Sequence, residues 1–408
     1  MVLCKACGKA ELKSFLNLGN LPLGNAFLTK EQLDQAEERF PLELGYCTAC
    51  TLVQQISPPP VSSLAKDYRN YRYVPVGKIL EDHYRELGIG IYNDFHLKKD
   101  SFVIDIGSNN GLLLSSIKHL CKVIGIEPAI EISEIARQKG VPTITDFFDA
   151  ELAKKISMSY GLVDIVTTTQ TLQHIPNLWD FFTGVHYLLK AKGVLIIEGR
   201  YIADTIRKFS YDTFYHEMLY FFSLHSLRDL VNLFDMEVFR AEVTDVYGGS
   251  LRVYVKRKPY IIKISNSVLD ILADELSLGL DGFLSYEIWA QRVFTKANEL
   301  RSLISQLKAE GKTIAGYGAP STSCTLLNYC SIGKEHINYI VDDSPLKQGL
   351  YAPGTHIPIV SRSMLLDAPP DYLLILAWRL KDDILSKIEP LRKAGMKVII
   401  PLPELEVI

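Results

Sequence analysis

The sequence has no apolar run of the roughly 18 residues that a membrane-spanning helix needs, no G-x-G-x-x-G fingerprint, no low-complexity segment and no short-period repeat. The first absence excludes membrane-spanning helices, and the last two exclude solenoid and disordered architectures. An excess of charge of one sign is also missing. Lysine and arginine number 44 against 47 acidic residues, a net charge of −3. Such a balance gives no general field for a phosphate backbone, so nucleic acid is not expected as a partner. The opening MVLCKACGK has neither an apolar core region nor a cleavage site, so the expected location is the cytoplasm.

Cysteine is scarce but placed with purpose. Four of the seven form two C-x2-C knuckles, Cys4 and Cys7 in CKAC and Cys47 and Cys50 in CTAC. Each knuckle offers two thiolates on one tight turn, and four sulfurs close a tetrahedral sphere without an open position. That is a structural zinc site rather than a catalytic one. The 39 residues between the knuckles must fold as a loop or hairpin. Cys121, Cys324 and Cys330 show no pairing pattern, so disulfides are the weaker reading.

With 408 residues, two to three domains are expected. Residues 1–68 read as the metal module, ending in the breaker run ISPPPVSS. From Ser101, short β-branched runs alternate with helix-length spacers: SFVIDIG, CKVIGIEP, PTIT, LVDIVTTT and KGVLIIEG. This is the rhythm of a parallel sheet with crossover helices. The segment MEVFRAEVTDVYGGSLRVYVKRK reads as an antiparallel hairpin closing its edge. An amphipathic helix follows, with Trp289, Val293, Ala297, Leu300, Ile304 and Leu307 at intervals of three and four. A second strand series, TIAGYG, INYIVDD, YLLILA and KVIIPLP, implies a smaller parallel α/β domain. The expected division is 1–68, 69–259 and 260–408.

The turn after the first strand of the series, VIDIGSNNG, carries Gly107 and Gly111 where a ligand meets an open parallel sheet. Glu127 ends the next strand, where a carboxylate can accept both hydroxyls of a ribose. With Asp105 close by and no lysine in the turn, a cationic ligand fits better than a phosphorylated one. S-adenosylmethionine carries a sulfonium and no phosphate. Asp146 and Phe147 follow the third strand and offer a carboxylate and an aromatic face to an adenine.

In combination these motifs resemble the zinc-containing sugar C-methyltransferases that act on nucleotide-linked 4-keto deoxysugars. The resemblance extends to His174-Ile175-Pro176, Phe214-Tyr215-His216-Glu217 with FFSLHSL, GGSLRVYV, GYGAP, KQG, PGTHIPI and DYLLILAW. It implies an α/β chain in three parts: an N-terminal zinc-binding module, a central Rossmann-like class I methyltransferase domain and a smaller C-terminal Rossmann-like domain. It implies S-adenosylmethionine and structural zinc as cofactors, and a small-molecule acceptor, a nucleotide sugar. Asp105, Gly107, Asn109, Gly111, Glu127, Pro128, Asp146, Phe147 and Gln170 are expected around the donor. Tyr73, His174, Tyr215, His216 and Glu217 are expected at the acceptor.

In such enzymes a base removes the proton beside the ketone, and the enolate attacks the sulfonium methyl. The family's usual base is a histidine at the position occupied here by Met218, and a thioether cannot take a proton at neutral pH. His216, Glu217 and His174 are the candidates to replace it. A hydroxyl acceptor giving a methyl ether, or a site that only binds, are the alternatives. Tyr247 also stands where the family has histidine before GGS, and no lysine follows GYGA. An anion could still meet the amides of Gly316, Tyr317 and Gly318 and the hydroxyls of Ser321 and Thr322. Two readings from other classes stay open. One is a zinc-ribbon protein that binds RNA or another macromolecule, although Glu31, Asp34, Glu37, Glu38 and Glu43 offset Lys5, Lys9 and Lys13. The other is a nicotinamide-linked enzyme, which GYGAPS without the fingerprint disfavours.

Overall fold

The computed structural model describes residues 2–69 and 77–408. Its first sheet explains the long gap between the knuckles. Strand β1 (Leu12–Leu21) runs out and β2 (Phe40–Cys47) returns antiparallel, pairing Leu12 with Cys47 so that the second knuckle arrives beside the first. Strand β3 (Val53–Gln55) pairs with β2. The proline run then gives way to α1 (Val61–Arg69), and α2 (Lys78–Asp94) leads into the central sheet.

The central region alternates β4 (Phe102–Ile106), α3 (Leu112–Ser115), β5 (Lys122–Ile126), α4 (Ile130–Gln138), β6 (Thr143–Ile144), α5 (Ala150–Tyr160), β7 (Val163–Thr169), α6 (Leu178–Leu188) and β8 (Leu189–Arg200). After α7 (Ile202–Arg207) come β9 (Tyr220–Phe221), α8 (Leu224–Asn232) and the hairpin β10 (Met236–Thr244) with β11 (Ser250–Arg257). The seven-stranded sheet has the order β10-β11-β8-β7-β4-β5-β6, parallel from β8 to β6 with the hairpin antiparallel at the edge. The β-branched runs are continuous because both faces are covered: Val103 packs into one core cluster while Phe102, Ile104 and Ile106 pack into the other. The chain reverses direction across the sheet between β4 and β7, and this opens a crevice at their carboxyl ends.

One strand was not foreseen. Residues 220–221 pair antiparallel with β3 as β9, the fourth strand of the zinc module's sheet. Their aromatic side chains are buried there.

Helices α9 (Asn266–Ser277) and α10 (Phe283–Ala309) precede the last sheet. All six positions expected on the apolar face of α10 are buried, and each large side chain among them contributes about 1.5–3 kcal/mol. The last sheet contains β12 (Ile314–Tyr317), β13 (Ile340–Val341), β14 (Ile359–Val360), β15 (Tyr372–Ile375), β16 (Lys397–Ile400) and β17 (Glu406–Val407), with α11 (Ser321–Tyr329) after β12. Its order is β14-β13-β12-β15-β16-β17. One core cluster includes the leucines of β1, the buried face of α10 and the strands of this last sheet. Among the described residues no helix is long and apolar enough to cross a membrane.

Candidate active site

The four knuckle cysteines converge. Their sulfurs all lie within 4.8 Å of one another, with Cys4 to Cys50 and Cys7 to Cys47 at 3.6 Å each. A disulfide would need about 2.05 Å, whereas a tetrahedron with zinc–sulfur bonds of about 2.3 Å has edges of about 3.8 Å. The geometry therefore fits zinc. Hydrogen bonding from Cys47 and then Cys50 pulls the Cys4 thiol down to about 2, while contacts with Cys4 and then Cys47 drive Cys50 far up. Four sulfurs this close cannot all become thiolates without a cation between them. Gln54 buttresses the cluster by donating to Cys4 Sγ at 3.0 Å and accepting from Lys5 N at 3.0 Å. Trp179 of α6 donates to the carbonyl of Ala6, tying the knuckle to the central region.

The crevice beyond β4 holds the expected donor residues. Glu127 is nearly buried, and its two carboxylate oxygens accept from Asn109 N and Ala129 N, each at 2.9 Å. Those bonds fix the carboxylate at the end of β5 and leave lone pairs for a diol. Burial pushes Glu127 above its usual range; burial, opposed by the Thr167 hydrogen bond and supported by the charge of Glu127, pushes Asp105 up to about 7. Asn109 and Gln170 both adopt left-handed backbone, with φ of 47° and 53°. Gln170 leaves the end of β7, its N–H donating to Glu198 O and its amide to Ser250 Oγ at 2.8 Å. Gly111 also has positive φ, and it packs against Val141 and Ala136. At Gly107 a Cβ would lie 2.1 Å from Thr171 Oγ1, so its smallness makes room for the loop after β7. Pro128 is half-buried beside Glu127. Asp146 is exposed and accepts from Phe147 N, while the Phe147 ring lies under the guanidinium of Arg69 at 5.1 Å.

Most of the described residues expected at the acceptor gather near the next strand ends. His174 Nδ1 meets the carbonyl of Glu217, which can only accept, so Nδ1 carries the hydrogen and Nε2 the lone pair. Tyr68 of α1 donates to the same carbonyl at 2.8 Å and lies 2.9 Å from Nδ1. Burial, opposed by the Glu217 carbonyl and reinforced by the charge of Arg200, lowers His174 to about 4. Tyr215 is half-buried nearby. Glu217 is buried, with Oε1 bound by Asn25. His216 Nε2 faces the Phe40 carbonyl at 2.9 Å inside the zinc module. Met218 is fully buried in the core. Tyr73 lies outside the described residues.

Several partners carried no motif. Asn25, Gln55 and Tyr68 reach the segment 215–218 from the zinc module and α1. Glu198, fully buried at the end of β8, accepts from His83 of α2 at 2.7 Å and from Arg252 of β11 at 2.7 Å. Burial raises this carboxyl, but those two partners outweigh it and hold it below its usual range. Arg200 stands two residues further along the same strand. The three members of the Glu198 group lie too far apart in sequence for spacing to link them.

In the turn after β12, two of the amides that could meet an anion are already engaged. The amides of Gly316 and Gly318 are bonded to Tyr339 O and Val341 O in the ladder, and Ala319 N donates to Asp342 Oδ2 at 2.7 Å. Gly24 of the zinc module covers Ser321, where an added Cβ would come within 3.0 Å.

Three family models match successive parts of the chain: a zinc binding domain over residues 4–61, a methyltransferase domain over 82–240 and a C-methyltransferase C-terminal domain over 245–403. The C-methyltransferase NovU of Streptomyces niveus is 32% identical over 410 residues, covering 99% of this chain and 96% of that protein. The chain belongs to the C-methyltransferase family. Among solved structures, magnesium protoporphyrin IX methyltransferase from Synechocystis PCC 6803 with bound SAM is 16% identical, with a TM-score of 0.35 over 49% of this chain and 98% of that one. A SAM-dependent methyltransferase from Anabaena variabilis is 14% identical, with a TM-score of 0.37 over 49% and 96%. This C-methyltransferase uses S-adenosylmethionine as donor and zinc as its structural metal.

Proposed function

We propose that the acceptor is a small molecule, a nucleotide-linked 4-keto deoxysugar, and that this C-methyltransferase acts on the carbon beside its ketone through an enolate. The organisation proposed with it is a zinc module over 1–68, a donor domain over 69–259 and a nucleotide-fold domain over 260–408. The observation that carries the reading is His174: a shielded imidazole, kept neutral, with Nδ1 tied to the Glu217 carbonyl. Its Nε2 lone pair is the base that Met218 cannot supply.

S-adenosylmethionine, when bound, supplies an electrophilic methyl group on a sulfonium. Glu127 accepts the hydroxyls of its ribose, and Asp105, Gly107, Asn109, Gly111, Pro128, Asp146, Phe147 and Gln170 line the remainder of the donor site. His174 takes the acceptor's proton, while Tyr215 and Glu217 orient the sugar, Glu217 being aimed by Asn25. His216 is a spacer that joins the acceptor segment to the zinc module. Tyr73 is assigned to the acceptor by its motif.

The test is deuterium exchange in heavy water with a nucleotide-linked 4-keto deoxysugar and S-adenosylhomocysteine. One deuterium should enter beside the ketone, and with the methyl donor the product should carry a new carbon–carbon bond. Methylation at oxygen, or no exchange, overturns the reading.

A further inference from the structure

We infer that Arg200 is the oxyanion-binding residue of the acceptor site, its guanidinium meeting the charge that develops on the acceptor's carbonyl oxygen when the neighbouring proton is removed. This deepens the acceptor reading above and rests on it for the ketone.

Arg200 ends β8 and pairs with Ser250 of the hairpin, at the carboxyl edge that carries Gln170 and Glu198. A guanidinium has five donors. Among the described residues only Nη1 is bonded, to the carbonyl of Tyr247 at 2.9 Å, and Arg200 forms no ion pair. The carboxylates that might neutralise it are already engaged. Glu198 holds His83 and Arg252. Asp212 grips Arg379 through both oxygens, at 3.1 and 2.8 Å, and Trp378 Nε1 at 2.9 Å. Arg200 keeps a partial opening to solvent, yet desolvation still pulls its pKa below the usual guanidinium value. A cation held in such surroundings without a counter-ion costs stability. An anion formed during the reaction would balance it, and the charge already acts on His174 and Tyr215.

The step balances. The carbon–hydrogen bond breaks, the proton goes to His174 Nε2, and the electron pair passes to the ketone oxygen beside Arg200. That pair then returns to form the carbon–carbon bond with the methyl group, whose bond to sulfur breaks and leaves a neutral thioether.

The experiment compares Arg200→Gln and Arg200→Lys with the wild-type chain, zinc-replete. With a nucleotide-linked 4-keto deoxysugar, deuterium exchange and kcat should fall by about 100-fold or more in Arg200→Gln, and Lys should restore part of both. Affinity for S-adenosylhomocysteine should stay unchanged and the Tm should hold or rise, because an unpaired charge has been removed. A structural arginine anchoring the Tyr247 turn would instead lower the Tm. Exchange within a few-fold of wild type in Arg200→Gln, or loss of activity with a matching fall in Tm, overturns the inference. Where the wild type exchanges no such sugar, oxalate titrated into the S-adenosylhomocysteine complex decides. Binding weakened about 10-fold by Arg200→Gln keeps Arg200 while the sugar reading falls, and equal binding overturns Arg200 as well.

Discussion

Asn25 donates its backbone N–H and its side-chain amide to the same oxygen of Glu217, at 3.2 and 3.0 Å, across 192 positions of sequence. The zinc module thus reaches the segment 215–218 directly. Gln55 donates to the carbonyls of Tyr215, His216 and Met218, and β3 takes up β9 immediately beyond. A metal cluster that orders β1 to β3 also sets the position of residues 215–221.

Asn25→Ala removes one hydrogen bond to a carboxylate, a contact of about 1.5–3 kcal/mol, and leaves the backbone N–H in place. The specificity constant for the acceptor should drop by about 10-fold or more, with calorimetric affinity for S-adenosylhomocysteine unchanged. Equal losses for both ligands would show that Glu217 is a general support rather than an acceptor residue.

Cys4→Ser opens the tetrahedron and leaves Gln54 without its sulfur acceptor. Zinc content should fall and thermal stability with it. Turnover should suffer more than donor affinity, because the module contacts the 215–221 segment through Asn25, Gln55 and β3. A variant that loses donor affinity first, as read by calorimetry against metal content, contradicts that order.

Much of this was legible in the chain. The sheet rhythm shows because strands buried on both faces become uninterrupted β-branched runs, and the zinc site shows because chelation fixes short spacings. The two-residue strands β14 and β17 are too short for any period to mark them, whereas β13 lies inside the run INYIVDD. The pairing of β9 with the zinc sheet, the Asn25–Glu217 contact and the His83–Glu198–Arg252 group are tertiary, with partners 54 to 192 positions apart. Arg200 follows a plain GVLIIEG run, and only the engagement of Glu198 and Asp212 by other partners marks it. Gly107 was read as room for a ligand, but the loop contact with Thr171 could not be seen from its own turn.

The base can be located by pH. His174 is lowered from 6.5 to about 4, so it remains neutral and competent below the ordinary histidine range, and the acid limb of the exchange rate should lie well under pH 6.5. Around the ring stand the Tyr68 hydroxyl, the Glu217 carbonyl and the Arg200 cation. Removing that cation in Arg200→Gln should move the limb upward in the residual activity. His174→Gln should abolish exchange. Met218→Ala should cost about 2–5 kcal/mol of stability while exchange per folded molecule persists; its loss would return the base to the Met218 position.

Asp105 gives the sharpest test of the donor crevice. Its carboxyl is raised to about 7 by burial and by the charge of Glu127, against the hydrogen bond from Thr167. A raised carboxyl stabilises the fold below its unfolded pKa near 3.8, and that contribution is lost as pH rises through 7. The donor-free protein should therefore lose stability between about pH 4 and 7 on this account. Asp105→Asn, which can still accept from Thr167, should be the more stable form above pH 7. A cationic donor favours the ionised carboxyl, so wild-type affinity for S-adenosylmethionine should rise from pH 6 to 8 with release of a proton, measured by calorimetry in buffers of different ionisation enthalpy. In Asp105→Asn the rise and the release should both shrink. A wild-type affinity flat across that interval would mean that no buried carboxyl in the crevice responds to the sulfonium.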